Sequence, residues 1–410
     1  MRHFLTATLA LFALLACEQA PKRTAPGSTF QQIARPAIWR VLPFSQAEML
    51  GFAPGDILLG YNGEPVATNA DVLAAQARVT ADAGRVPVVI QRDGAELTLE
   101  VEPGPLGVLP LAARFPSSLA VALEDIMGAL GLLADYDWLA ALTGESFTLA
   151  AAADECRAWW PAGTAGSYLD DVALMTGLRL ERVYALTDGG SGRDAVRGAL
   201  DRDRGVLVRG GWPGHRAGFW GVATRHEPET GMVFGYTLDS GEELPLAGAV
   251  AEVFVIAAER DWDDLDEVFA LVLTQALELG LARTDAGRET GLQAYDRLIA
   301  SLDTVPFCPA CGEAESPVCF SRLVWSLVAH KESAIRFLAA MREVAPDQTG
   351  LIDEITGDLQ AQVAKLEGIM RSGARIGRLE DQRKIARVMA EVQLIENDLL
   401  GLYEELLAGL

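Results

Sequence analysis

A chain of 410 residues, half of them hydrophobic, is long enough to bury two or three cores and too apolar to be disordered in bulk. Its 57 acidic residues against 34 basic ones give a formal net charge of -23, which repels phosphate backbones and argues against nucleic-acid binding. An acidic surface needs no partner, since solvated carboxylates serve solubility by themselves.

Arg2 and His3 precede an apolar run over residues 4–15 that is too short to span a bilayer and has the pattern of a secretory signal. The run ends in Leu14-Leu15-Ala16-Cys17, which resembles a bacterial lipobox. That resemblance implies cleavage before Cys17, lipidation of its sulfur and a mature protein held on a membrane. Each buried methylene adds about 0.8 kcal/mol, so several acyl chains hold where one would release. Glu18 follows where lipoproteins retained at the inner membrane tend to carry Asp, which favours the outer membrane and a periplasmic body. The expected order is a signal peptide over 1–17, then a Pro- and Gly-marked flexible tether over 18–29.

A strand is expected over 37–42. A turn, a strand and a second turn follow, with Pro54-Gly55 and Asn62-Gly63 as turn residues. Asn69 can cap a helix running through Val79, and residues 88–92 and 95–101 flank Asp93-Gly94 as a hairpin. The segment 51–66 resembles the G-L-x-x-G-D-x-I-L-x-x-N-G-x-x-V core of bacterial PDZ domains, with Ala47 at its small helix-side position. The resemblance implies a domain over 30–102 that adds an extended peptide or protein ligand to a sheet edge, lined by Ala37, Ile38, Trp39, Arg40, Val41 and Val72. The usual carboxylate-binding loop is missing ahead of Ala37, where Gly27-Ser28-Thr29-Phe30 is the nearest segment. The alternative is a small domain used for spacing or intramolecular docking. Pro103, Pro105 and Pro110 mark a linker.

Within residues 205–236, apolar runs at 206–208, 219–223 and 232–236 are separated by Gly, Pro and charged clusters, as consecutive buried strands are. Ser117 and Ser118 precede a helical pattern over 119–133, and a second helix is expected over 168–178. These features, with Gly144-Glu145-Ser146-Phe147, resemble the papain-like fold of the butirosin-biosynthesis protein H-like and bacteriocin-peptidase-like families, over 110–260. There a nucleophilic Cys starts the helix and a His starts a strand. Here Ser117 or Ser118 holds the first position and Trp220 the second. The implied domain keeps a cleft without the dyad. Rescue would need Cys156, Ser117 or Ser118 as nucleophile with His215 or His226 as base. Trp159, Trp160, Trp212 and Trp220 are either core or the lining of a cleft.

From residue 261 amphipathic stretches take over. Val268, Leu271, Val272 and Ala276 share one helical face, as do Ile352, Ile355, Leu359, Val363, Leu366 and Met370, and then Ile385, Val388, Val392, Ile395, Leu399 and Leu402. Residues 290–296 resemble a G-L-x-A-Y segment in helical tails attached to butirosin-type domains. A helical bundle is expected over 261–410, with its C-terminal helices a candidate homodimer surface.

Cys308, Cys311 and Cys319 are disulfide candidates, expected in a loop between helices, with Cys156 as the fourth cysteine of three possible pairings. A zinc site would draw on His330, and the C-x-x-C reads as lacking a helix start. The expected fold is α+β and multidomain: a PDZ-like β-sandwich or barrel with helix, a papain-like α+β domain and a helical bundle. The expected function is a lipid-anchored cell-envelope binding or scaffold protein with neither metal nor cofactor. The alternative is a cysteine- or serine-dependent acyltransferase or amide hydrolase.

Overall fold

The computed structural model describes residues 29–410 apart from 81, 133–134, 152–166, 187–190, 203–204, 214–217, 239, 241, 259–264, 283–288 and 310. The chain is mixed α and β with several sheets and a helical C-terminal region. Among the described residues no helix is long and apolar enough to cross a membrane.

Helix α1 (Thr29–Ala34) opens the described chain, followed by β1 (Ile38–Val41), α2 (Gln46–Met49), β2 (Ile57–Tyr61), β3 (Glu64–Pro65), α3 (Asn69–Arg78), β4 (Val86–Arg92), β5 (Ala95–Val101) and β6 (Val108–Pro110). The cap of α3 is Thr68, one residue before the expected Asn69, and it forms a reciprocal capping box with Asp71. The hairpin β4–β5 turns where expected, because Asp93 (φ 49°) and Gly94 (φ 82°) both take the left-handed backbone that a two-residue turn requires. Strands β3, β2, β4 and β5 form one sheet, while β1 pairs with β6 in a second. Asp56 of the Gly-Asp pair is buried and accepts both arms of Arg92 at 2.6 Å, tying the turn before β2 to the end of β4.

A 3-10 turn (Leu111–Arg114) leads to α4 (Ser118–Ala129), α5 (Tyr136–Leu142), β7 (Ala150–Ala151), α6 (Ser167–Thr176), β8 (Leu178–Ala185), α7 (Gly192–Leu200), β9 (Gly205–Gly210), β10 (Trp220–His226), β11 (Val233–Thr237), β12 (Leu244–Pro245) and β13 (Val250–Ala258). Helix α6 stops at Thr176, two residues short of its expected end, because Leu178 already belongs to a strand. The six-stranded sheet runs β12-β11-β10-β9-β13-β8, with antiparallel pairs throughout. The three runs expected in 205–236 are its adjacent strands β9, β10 and β11. Alternation along β9 sends Val206 and Val208 to a core under α7 and Leu207 to the opposite face, with Trp220 and Ile256. Gly221 and Gly235 leave room for the indole of Trp212, since a Cβ at either would come within 2.6 and 2.7 Å of it.

The C-terminal region comprises α8 (Leu265–Leu281), β14 (Glu289–Thr290), α9 (Gly291–Ser301), α10 (Gly312–Val344), α11 (Thr349–Arg371) and α12 (Leu379–Gly409). Strand character persists beyond residue 261, because β14 pairs with β7. The predicted faces bury Val268, Val272, Ile352, Ile355, Leu359, Leu366, Ile385, Val392 and Leu399, while Val388, Ile395 and Leu402 flank the buried stripe. One continuous core joins this region to the large sheet: Phe337 of α10 meets Trp138, Phe147 and Phe269 edge-on at 5.2 to 6.1 Å. Phe30 and Ile33 of α1 lie in that core too, with Phe30 stacked on Tyr236 at 6.3 Å, so residue 30 belongs to the large body and the small N-terminal unit begins near Ile38.

Candidate functional site

The two positions singled out in the central body meet in space. Ser117 caps α4, its hydroxyl accepting the amide of Ala120 at 2.9 Å. The hydroxyl of Ser118 accepts the backbone amide of Trp220, the first residue of β10, at 3.2 Å. Both serines are buried, and the N–H of Ser117 donates to the phenol oxygen of Tyr136 at 3.1 Å. That phenol is held protonated well above its ordinary range by burial and then by the nearby Glu145 carboxylate. Trp220 is fully buried against Phe254, and among the described residues its indole N–H finds no acceptor. Helix start and strand start thus come together, but each serine hydroxyl accepts a backbone amide. Among the described residues neither is hydrogen-bonded to a histidine.

The other candidate groups lie elsewhere. His226 ends β10, six residues and about 20 Å from Trp220. Its Nε2 pairs with Asp201 at 2.7 Å, and the residue is half-buried. Cys17, Cys156, Trp159, Trp160 and His215 lie outside the described residues. Trp212 and Trp220 are core, the Trp212 indole donating to the carbonyl of Val208 at 3.3 Å.

Cys308, Cys311 and Cys319 converge, their sulfurs within 4.8 Å of one another. Cys308 lies in the expected loop between α9 and α10, but Cys311 is the N-cap of α10 and Cys319 lies inside that helix, so the C-x-x-C does sit at a helix start. His330 stands eleven residues further along the same helix, about 16 Å away, and cannot complete a shared site. It is buried, among the described residues neither nitrogen has a hydrogen-bond partner, and burial and then Lys331 push its pKa down to about 3.

In the N-terminal unit, β1 already has neighbours. Its register sets Ile38 against Pro110, Arg40 against Leu109 and Val41 against Val108, and Ala37 bridges Ile57 on the other side. Ile38 and Val72 are buried in the core of this unit. Trp39 packs instead towards the helices, edge-on to Trp325 at 6.4 Å. Arg40 forms ion pairs with Glu332 of α10 and Glu367 of α11, its guanidinium 4.8 Å from the ring of Trp39 and 5.3 Å from that of Trp325. The strand expected to receive a peptide is therefore covered on one edge by β6 and tied to the helical region through Trp39 and Arg40, and in this two-stranded sheet β1 and β6 each keep one outer edge.

Two polar clusters have no counterpart in the sequence reading. Asp137 takes both arms of Arg336 at 2.6 and 2.8 Å, and beside it Glu124 is pushed up to about 7 by burial and by Asp135. Deeper, Lys331 and Glu396 pair at 2.6 Å with side chains 3% and 2% exposed, and Lys331 also reaches the carbonyl of Phe147 at 3.2 Å. Gln362 donates to Glu396 at 2.7 Å. Glu396 falls in the buried stripe of α12 with Met389, Val392, Leu399 and Tyr403, and a charged residue in register with such a stripe is the one signal that could have found it. No protein-family model matches this chain, and no curated protein matches its sequence.

Proposed function

We propose that the protein is a lipid-anchored component of the cell envelope that binds and holds partners, with a PDZ-like unit docked on a papain-like body whose nucleophile and base positions carry Ser118 and Trp220. The observation that carries this reading is the hydrogen bond from the Trp220 amide to the Ser118 hydroxyl. It supports a papain-like meeting of helix and strand in which backbone structure occupies the serine, and a protonated serine with no base is a poor nucleophile. The lipobox ending at Cys17 supplies the address, reached by acylation of that residue.

Peptide addition in this reading uses the outer edge of β6, because β6 covers one edge of β1 and the start of the other edge is taken up by the Ala37–Ile57 bridge and the backbone bonds of Ile38 to Gly55 and Asp56. The experiment places a photo-crosslinking amino acid at Val108 in the full-length protein in cells and, in parallel, treats the purified protein with a fluorophosphonate. A specific protein adduct from Val108 with no label on Ser117 or Ser118 is the expected result. Stoichiometric label on either serine would replace this reading with the hydrolase or acyltransferase one, and the absence of any adduct would reduce the PDZ-like unit to a spacer.

A further inference from the structure

A cavity of about 460 Å³ opens where β1, the 3-10 turn after β6, α10 and α11 meet. Its volume falls in the range of small-molecule sites, which favour such junctions. Trp39, Ile335, Val363 and Ala364 give it an apolar wall, and Arg114, Arg336, Glu332 and Glu367 give it charged ones. Most of those charges are already matched. Glu332 and Glu367 both bind Arg40, Glu367 also binds Arg371 at 3.0 Å, and Arg336 is held in a two-armed pair with Asp137.

Arg114 is the exception. Among the described residues it has no carboxylate partner, and its one recorded contact is with the ring of Phe115, 5.3 Å from the guanidinium carbon. Among the described residues Arg114 is thus the guanidinium of this wall that no carboxylate holds, in a protein that is strongly acidic overall. A half-buried guanidinium in the wall of a cavity that also offers apolar side chains suits a planar anion, which it can grip with two parallel hydrogen bonds.

We infer that this cavity binds a small amphipathic carboxylate, its apolar body against Trp39, Ile335 and Val363 and its carboxylate on Arg114. The inference is independent of whether Ser118 is catalytic and of what β6 binds. Octanoate, octanol and octylammonium, equal in chain length and different only in head group, are titrated calorimetrically into the whole protein and into Arg114→Gln. A tripeptide with a free carboxyl terminus and its amide form a second pair, which separates a free acid from a chain end as the source of the carboxylate.

The expected result is that octanoate binds at least about tenfold more tightly than octanol, with octylammonium weakest, and that Arg114→Gln weakens octanoate by about tenfold to a hundredfold while leaving octanol unchanged. Val363→Trp, which fills the cavity and leaves Arg114 in place, should abolish binding of all three and keeps the test valid if Arg114→Gln fails to fold. Equal binding of acid and alcohol, no heat from octanoate at millimolar concentration, or octanoate binding that survives both substitutions would overturn the inference.

Discussion

The amide of Trp220 donates to the hydroxyl of Ser118 across 3.2 Å, joining the first turn of α4 to the first residue of β10, 102 positions away. Next to it, the Ser117 hydroxyl holds the amide of Ala120. Loss of the cap in Ser117→Ala should lower stability by about 1 kcal/mol, and urea unfolding would read it. Ser117→Asp should not restore it fully, because a carboxylate there would be buried beside Tyr136.

Lys331 and Glu396 make the opposite kind of contact, two charges that stabilise only as a pair. Lys331→Met should cost about 3–5 kcal/mol because it strands the Glu396 carboxylate. Adding Glu396→Leu should recover most of that loss, though not all, since Gln362 and the Phe147 carbonyl lose partners. Chemical denaturation of the two single variants and the double variant checks the cycle.

Glu124 makes stability depend on pH. Its folded pKa, about 7, lies above the ordinary carboxylate value, so the native state binds the proton more tightly than the unfolded chain. Its contribution is complete below about pH 4.5 and is lost as pH rises through about 7, amounting at most to about 3 kcal/mol. Glu124→Gln, permanently neutral, should remove this part of the fall in stability between pH 5 and pH 8, as thermal melts across that range would show.

Arg40→Ala should free β1 from the helices at a cost of about 2 kcal/mol, since it leaves Glu332 and Glu367 facing each other without their shared cation. Hydrogen exchange should rise in β1 and β6 and stay unchanged in β4 and β5. Arg40→Lys should rescue poorly, because an ammonium cannot fork between two carboxylates while lying flat on Trp39.

The strands of the large sheet were legible because Gly and Pro punctuate short apolar runs, and the serine cap because a hydroxyl before a helical pattern has few other uses. Cys319 was misplaced for the same kind of reason. Pro309, Gly312 and Pro317 read as a loop, yet helix begins at Gly312 and carries Pro317 within it, tertiary packing overriding a local breaker. Strand β6 is three residues long and ends in a proline, so no pattern announced that it would cover β1. Glu396 looked like one more solvated acid, because its partner Lys331 comes from another helix, 65 residues earlier.

Helix α1 sets how force would enter this molecule. Phe30 and Ile33 are set in the core shared by the large sheet and the long helices. If Cys17 is the point of attachment, the segment before Thr29 extends to roughly 40 Å at most. A pull along it would load that shared core first, before the small N-terminal unit that follows α1 in the chain.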